Sequence, residues 1–166
     1  ANVQGYFLDH CTDEDYIAEI KMSIAQKEKI KCGEAMPKLT ALNVDNSEVE
    51  INALMKNANT VIYFWPSDLG GIELTSEKLS YLQKKHPDIL FIGIERNKSE
   101  EDWKKFVESR KLPKNSQFRI AKNSDSYSWY EGDMARTIIV NSKGKVENGY
   151  VFFLDNNLNN YLKNIN

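Results

Sequence analysis

The chain has 166 residues, a formal net charge of −2 and 41% hydrophobic residues. These values are typical of one globular domain with at most a short extra segment, large enough to fold without a disulfide or a bound metal. The 22 basic and 24 acidic residues are spread along the whole chain, which argues against a nucleic-acid-binding protein, and no apolar run is long enough to be a transmembrane helix.

The first predicted element is a helix over residues 12–30, where a capping-box-like start precedes apolar residues at helical spacing. This helix separates the two cysteines, Cys11 and Cys32. About 18 helical residues span roughly 27 Å, whereas a disulfide requires Cα atoms within about 7 Å of each other. We therefore expect Cys11 and Cys32 to be unpaired thiols.

Strands and helices alternate along the rest of the chain. Short strands are predicted at residues 39–42 and 49–51, and a longer one at 60–65, whose continuous apolar run is typical of a buried central strand. Next come a helix over 73–86, a strand over 89–94 and a helix that starts at Ser99 and ends before Pro113. The last elements are strands at 137–140 and 149–153, joined by a short turn, and a helix over 155–165.

The segment between the central strand and its helix reads Phe64-Trp65-Pro66-Ser67-Asp68-Leu69-Gly70-Gly71-Ile72. It resembles the active-site loop of the TlpA/ResA-like (AhpC/TSA-related) thiol-disulfide oxidoreductases, a branch of the thioredoxin-like superfamily. In that branch a strand ending in Phe-Trp leads to a Cys-x-x-Cys pair that opens a helix. The stretch from Gly33 to Leu39 also resembles the G-x-x-x-P-x-L stretch that precedes the first strand of these proteins.

The resemblance implies an α/β thioredoxin-like fold, with a central mixed β-sheet flanked by helices and an additional N-terminal helix. The thioredoxin-like domain is expected to span residues 33–166. Residues 1–32 are expected to form a helical segment outside it, and the family's habit of carrying extra N-terminal domains favours its being the end of an upstream domain. Packing across the sheet and dimerisation are alternatives for this helix.

The resemblance also implies that the site has lost its chemistry. The two redox cysteines of the family fall on Leu69 and Ile72, neither of which can form the thiolate that disulfide exchange requires. The family's cis-proline falls on Ala135. Because a cis bond before a non-proline residue costs about 2.5–4 kcal/mol, we predict that Met134–Ala135 is trans.

The start of the helix after this loop has two interpretations, an anion-binding site or a simple helix cap. The helix N-terminus around Asp68, Gly70 and Gly71 is able to receive an anionic or carboxylate group, or Asp68 simply caps the helix. Exposed aromatics favour protein binding, so a retained docking rim is predicted, with packing over the sheet edge as the alternative. The proposed rim comprises Trp65, Asp68, Gly70, Gly71, Tyr127, Trp129, Tyr130, Met134 and Arg136.

The function predicted from these features is binding of a protein or peptide, or a scaffold role, without redox activity. One alternative is a thiol-dependent oxidoreductase or peroxidase that uses Cys32 or Cys11; another is a purely structural domain of a larger lipoprotein. No cofactor, metal or nucleic acid is expected, because no ligand spacing or nucleotide motif is present, and His86 is expected to be an exposed helix-end residue.

No segment resembles a signal peptide, and the chain starts at Ala1, which predicts a mature form or an excised domain. The resemblance implies a periplasmic or outer-envelope bacterial protein. Membrane attachment is expected only through an N-terminal anchor outside this sequence.

Overall fold

A computed structural model describes residues 12–120 and 136–165; the side chains of residues 22–29, Arg136 and Tyr150 lie outside the described part. The helices and strands, in chain order, are α1 (Glu14–Lys29), β1 (Thr40–Leu42), β2 (Glu48–Glu50), α2 (Ile51–Leu54), β3 (Thr60–Phe64), α3 (Leu69–Lys85), β4 (Leu90–Glu95), α4 (Glu100–Ser109), a 3-10 turn (Lys114–Ser116), β5 (Gln117–Arg119), β6 (Arg136–Val140), β7 (Val146–Phe152) and α5 (Leu158–Lys163).

The seven strands form one mixed sheet in the order β2-β1-β5-β4-β3-β6-β7. Strands β3, β4 and β5 are parallel to one another, whereas β6 is antiparallel to β3 and β7 is antiparallel to β6. All five residues of β3 are buried, as its unbroken apolar sequence predicts for a strand with both faces covered. The predicted strand–helix–strand–helix order, followed by a hairpin and a last helix, is confirmed.

Each face of the sheet carries its own apolar core. Alternate residues of β3 divide between the two cores, with Ile62 and Phe64 on one face and Val61, Tyr63 and Trp65 on the other. Helices α3, α4 and α5 cover the second face, because their buried apolar residues belong to that core. The two-residue period of a strand therefore decides which side chains lie beneath the helices.

Several boundaries differ from those predicted. Ile51 was expected to end a strand, but it begins the short helix α2 and is fully buried. Strand β5 was not predicted, because three residues are too few for a periodic pattern to show. Helix α3 begins at Leu69 rather than at residue 73, since Asp68 provides its cap. The predicted start of the N-terminal helix is confirmed, with Asp13 accepting a hydrogen bond from the backbone N–H of Tyr16 at 3.1 Å.

The start of the edge strand β7 is paired on its outer side by a nearby loop. The backbone N–H of Gly33 donates to Val146 at 2.7 Å, and the N–H of Val146 donates to Glu34 at 2.9 Å. One residue further along, Ala35 forms an isolated antiparallel bridge with Lys145. The glycine in this loop has φ of +84°, which glycine adopts without steric cost. Within the described part of the chain, no helix is both long and apolar enough to cross a membrane.

Candidate functional site

The candidate site is the loop that follows β3 and the first turn of α3. Asp68 is the N-cap of this helix, and its carboxylate accepts a hydrogen bond from the backbone N–H of Gly71 at 2.6 Å. This satisfies one of the N–H groups that a helix leaves without a partner at its start. The interpretation of Asp68 as a capping residue is therefore confirmed, and its carboxylate occupies one of the positions that an external anion would take.

Leu69 and Ile72 lie one turn apart in the first turn of α3 but in opposite environments. The side chain of Leu69, the first residue of the helix, is 70% exposed, whereas that of Ile72 is 6% exposed and packs in the core beneath the helices. An exposed leucine contributes apolar surface but no nucleophile, acid or base. The tip of the helix therefore presents a hydrophobic side chain where a reactive group would be reachable from solvent.

The two glycines of this turn differ in what they permit. A Cβ atom at Gly71 would lie 2.9 Å from the Asp68 carboxylate and 3.0 Å from the ring of Pro66, so the loop can approach the helix this closely only at a glycine. A Cβ at Gly70 would have no atom nearer than 3.6 Å. Gly71 is thus required by the packing of the loop, and Gly70 leaves an open surface beside Leu69.

Trp65 is not part of an exposed rim, and the prediction that it would be is wrong. Its side chain is 2% exposed, and its ring packs edge-on against Tyr63 and Phe106, with centroid separations of 5.5 Å and 5.1 Å. Because Trp65 follows β3 with the same alternation as Tyr63, its ring points under α4 rather than into solvent. It supports the loop from below.

A buried polar cluster beneath the loop was not predicted. Gln117 of β5 accepts a hydrogen bond from the indole Nε1 of Trp65 at 2.8 Å and donates one to the hydroxyl of Tyr63 at 3.0 Å. The three strands are in register here, with Tyr63 opposite Gly93 and Gly93 opposite Gln117. Burial raises the pKa of the Tyr63 hydroxyl well above its usual range, and the hydrogen bond from Gln117 partly offsets this.

The absence of a side chain at Gly93 lets the two flanking side chains meet across the middle strand. A Cβ there would lie 2.7 Å from the Tyr63 hydroxyl, 2.8 Å from the Trp65 indole nitrogen and against the Gln117 side-chain oxygen. The glycine inside the predicted strand 89–94 was the only sequence signal of this arrangement, since a strand glycine often marks such a close approach. Its partner Gln117 lay in a strand that the sequence did not predict.

A second loop, after β4, lies beside the first and is hydrogen-bonded to it. The Glu95 side chain is 1% exposed and accepts hydrogen bonds from the backbone N–H groups of Arg96, Asn97 and Lys98 at 2.9, 2.6 and 3.0 Å. Lys98 also places its ammonium 3.4 Å from this carboxylate. The side-chain amide of Asn97 then donates to the hydroxyl of Ser67 at 3.0 Å, which ties the two loops together.

The remaining predicted rim residues and one of the two cysteines fall outside the described residues. These are Cys11, Tyr127, Trp129, Tyr130, Met134 and Ala135, together with the side chain of Arg136, whose backbone begins β6. The predicted trans bond between Met134 and Ala135 is likewise outside them. Of the proposed rim, the described part of the structure brings together Asp68, Gly70 and Gly71.

Cys32 lies at the opposite end of the sheet from the candidate site. It is exposed and free, and its thiol donates to the backbone carbonyl of Glu147 at 3.0 Å. Glu147 follows Val146, which pairs with Val140, and Val140 pairs with Thr60 at the start of β3. The loop after β3 begins at the other end of that strand, five residues on, or about 17 Å away at 3.3 Å per residue. Cys32 is therefore remote from Leu69 and Ile72.

His86 was expected to be an exposed residue at the end of a helix. It does end helix α3, but it is half-buried. Its ring Nε2 lies 2.8 Å from the amide oxygen of Asn159, in the region of α5, which explains why solvent is excluded from one side. In the two described ranges, 12–120 and 136–165, no group of three or more histidine, cysteine or acidic side chains is placed to hold a metal ion.

No protein-family model and no curated protein sequence matches the chain. Solved structures do. The chain is similar to the thioredoxin domain of a thiol-disulfide oxidoreductase from Bacteroides vulgatus, with a TM-score of 0.60 and 21% identity over 80% of this chain and 99% of that one. It is also similar to a thiol:disulfide interchange protein from a Bacteroides species, with a TM-score of 0.65 and 22% identity over 81% and 90% of the two chains. The predicted thioredoxin-like fold is confirmed.

Proposed function

We propose that this chain is a thioredoxin-like domain that binds a protein or peptide at the tip of α3 and carries out no thiol-disulfide exchange there. The observation that carries this proposal is Leu69, which is 70% exposed at the first position of α3. The sequence resemblance places the family's attacking cysteine at this position. Leucine retains the exposure of that position and removes its reactivity.

The surroundings of Leu69 support binding because they are held in place before a partner arrives. Asp68 caps the helix, Gly71 fits against Pro66, and the Asn97–Ser67 hydrogen bond joins the neighbouring loop. A rigid surface loses less conformational entropy on association than a mobile one. An exposed leucine on such a surface offers apolar area to an extended peptide or an unfolded segment.

The binding test uses carboxymethylated insulin B chain as a probe, since it is an extended peptide that cannot exchange disulfides. The probe is expected to bind in a fluorescence anisotropy titration, and Leu69→Asp is expected to weaken binding by about tenfold, the equivalent of about 1.4 kcal/mol. Leu74→Asp is the matched control, because Leu74 is also an exposed leucine of α3, at 55%. Equal binding by both variants and the unsubstituted chain would refute the proposed surface.

The redox test asks whether any thiol supports turnover. The chain is expected to leave insulin disulfides intact in a dithiothreitol-driven reduction assay. The alternative to the redox-inactive proposal is a thiol-dependent enzyme that uses Cys32, which is exposed, or Cys11. Turnover that is abolished by Cys32→Ser or Cys11→Ser, together with iodoacetamide labelling that titrates well below pH 7, would establish the alternative and refute the redox-inactive proposal.

The proposal includes a bacterial envelope location and a role either as a binding module or as a structural domain of a larger lipoprotein. Its support is the resemblance to extracytoplasmic oxidoreductases and the Bacteroides origin of the similar structures. Expression of the full-length reading frame with an epitope tag, followed by spheroplast fractionation and protease protection, tests the location. Recovery of the tagged protein with a cytoplasmic marker enzyme would contradict it.

A further inference from the structure

A cleft lies between the edge of the sheet and α5, and four of its eight described lining residues are asparagines. It has a volume of about 510 Å³. The α5 side is lined by Asn157, Asn160, Tyr161, Asn164 and Ile165, and the sheet side by Glu147 and Asn148 with Ile139. A cleft of this size accommodates a drug-sized or oligomeric ligand. None of its described lining residues is basic.

Three asparagines in and next to α5 share one face with Tyr161 because of their spacing. Asn157, Asn160, Tyr161 and Asn164 follow the i, i+3, i+4, i+7 pattern, and the opposite face of the same helix buries Leu158 and Leu162 at 0% and 3% exposure. The burial of these two leucines fixes the rotation of the helix about its axis. The asparagine face is therefore turned toward the cleft by core packing.

Two hydrogen bonds hold α5 in position against α3. The ammonium of Lys78 donates to the carbonyl of Asp155 at 3.0 Å, just before α5. His86, at the end of α3, contacts Asn159 at 2.8 Å. The start of the helix that forms this wall is thus anchored to α3.

We infer that this cleft binds a neutral, polyhydroxylated ligand, namely an oligosaccharide. The side-chain amides of Asn157 and Asn160 each have two N–H donors and a carbonyl acceptor without a net charge, which matches a sugar hydroxyl that donates and accepts at once. Asn164 already donates one side-chain N–H to the Asn160 carbonyl at 3.0 Å. Tyr161, 51% exposed, provides a flat ring for the apolar face of a pyranose, with its hydroxyl as a polar handle. The exposed Glu147 adds one acceptor and is itself held by a hydrogen bond from Asn141 at 2.5 Å.

The chemistry of the lining argues against other ligand classes. A phosphorylated or otherwise anionic ligand requires basic side chains or a set of free backbone N–H groups, and the described lining has no basic side chain and one carboxylate, that of Glu147. A peptide held by its side chains requires apolar or charged pockets, whereas here the apolar lining consists of Ile139, Ile165 and the ring of Tyr161. Neutral amides that both donate and accept, beside an aromatic ring, match a ligand rich in hydroxyl groups.

The cleft is independent of the site proposed above. Ile139 pairs with Val61 near the start of β3, whereas Leu69 lies beyond the other end of that strand. Occupation of one site therefore leaves the other accessible, and the failure of either proposal leaves the other standing.

The test is a ¹H–¹⁵N NMR titration of the full chain with maltohexaose, cellohexaose, xylohexaose and mannohexaose. At least one of these neutral sugars is expected to shift the side-chain amide signals of Asn157, Asn160 and Asn164. Asn160→Ala and Tyr161→Ala are expected to weaken that binding by about tenfold or more, as the loss of one or two good contacts requires. Tyr161→Phe, which keeps the ring, is expected to retain most of it.

Two variants serve as matched controls. Tyr81→Ala removes an exposed tyrosine of α3, and Asn156→Ala removes an exposed asparagine next to the cleft face; both are expected to bind the sugar as tightly as the unsubstituted chain. Circular dichroism establishes that each variant is folded. Shifts by none of the four sugars, sugar binding that survives Asn160→Ala and Tyr161→Ala together, or binding of carboxymethylated insulin B chain at these asparagines instead would overturn the inference.

Discussion

The side-chain oxygen of Gln117 accepts a hydrogen bond from the indole nitrogen of Trp65 at 2.8 Å, in the buried interior directly beneath the loop that opens α3. This contact links β5 to the end of β3 across the intervening strand. The Trp65 ring supports the loop from below, and its position depends on a hydrogen bond to Gln117, two strands away.

Replacing Gln117 tests how much this contact stabilises the fold. Gln117→Leu leaves the Trp65 indole N–H without its acceptor and the buried Tyr63 hydroxyl without its donor, and each buried unsatisfied group costs about 1–3 kcal/mol. We expect a corresponding fall in the free energy of unfolding, measured by urea denaturation. Gln83→Leu, at an exposed position of α3, serves as the control, and equal stability of the two variants would contradict the role given to Gln117.

Gly93 and Gly70 form a matched pair for a second prediction. Gly93→Ala places a methyl group 2.7 Å from the Tyr63 hydroxyl and 2.8 Å from the Trp65 nitrogen, so it is expected to lower the urea midpoint and to shift Trp65 fluorescence. Gly70→Ala meets nothing nearer than 3.6 Å and replaces glycine in a helix, which favours folding by up to about 1 kcal/mol. A destabilising Gly70→Ala paired with a neutral Gly93→Ala would reverse the expected order.

Two substitutions of Asp68 test how much its helix cap stabilises the fold. Asp68→Ala removes the hydrogen bond to the N–H of Gly71, and loss of such a cap costs about 0.5–2 kcal/mol. Asp68→Asn keeps an equivalent acceptor and is expected to retain most of the stability. Thermal unfolding followed by circular dichroism measures both; a drop of the same size in each would indicate that the charge matters rather than the cap.

Glu73 predicts a dependence of stability on pH. The hydrogen bond and the positive charge of Arg110 hold the pKa of Glu73 below its ordinary value of 4.5. A carboxyl group whose pKa is lower in the folded state stabilises that state above its unfolded pKa, and this contribution disappears as the pH falls through the folded pKa. Between neutral pH and acid, the unsubstituted chain should therefore lose more stability than Glu73→Gln.

Salt provides the check on this interpretation. Both side chains of the pair contact solvent, so screening at about 1 M NaCl, where the Debye length is about 3 Å, should shrink the difference between the two proteins. Urea midpoints measured at several pH values with and without salt give the comparison. A difference that grows toward acidic pH would carry the wrong sign.

Restoring two thiols is a direct test of the position of the lost chemistry. In a Cys11→Ser, Cys32→Ser background, Leu69→Cys with Ile72→Cys places an exposed and a buried thiol in the first turn of α3, where the helix N-terminus lowers thiol pKa values. We expect this variant to reduce insulin in the presence of dithiothreitol. Leu74→Cys with Glu77→Cys has the same spacing in the middle of the helix and is expected to be inactive; activity in neither pair would contradict the assignment of the site.

The sequence predicted the strands and helices that leave a clear pattern of apolar and capping residues. The apolar run at 60–65 and the acidic start after Ser99 were enough to place β3 and α4, because burial on both faces and a capped amphipathic helix leave clear patterns. Strand β5 left none, since three residues cannot show a period. The polar contact of Gln117 with Trp65 was therefore hidden as well.

For the candidate site, the sequence predicted the position of the loop but not the orientation of its largest ring. Trp65 was assigned to the proposed rim because tryptophan is frequent in binding patches, with packing over the sheet edge as the alternative. Its orientation follows instead from the register of β3 and from Gly93, which makes room for its nitrogen beside Gln117. Register between strands is a property of the assembled sheet, and a single sequence does not record it.

The pairing of Gly33 and Glu34 with Val146 has a consequence for how the domain can be isolated. These residues precede every strand of the sheet, yet they cover the start of the outer edge of β7, where unpaired N–H and C=O groups would invite another chain to add a strand. A chain trimmed to start after Met36 would keep all seven strands and lose this cover. Self-association through the bared edge is the expected result, so the folding unit begins before its first strand.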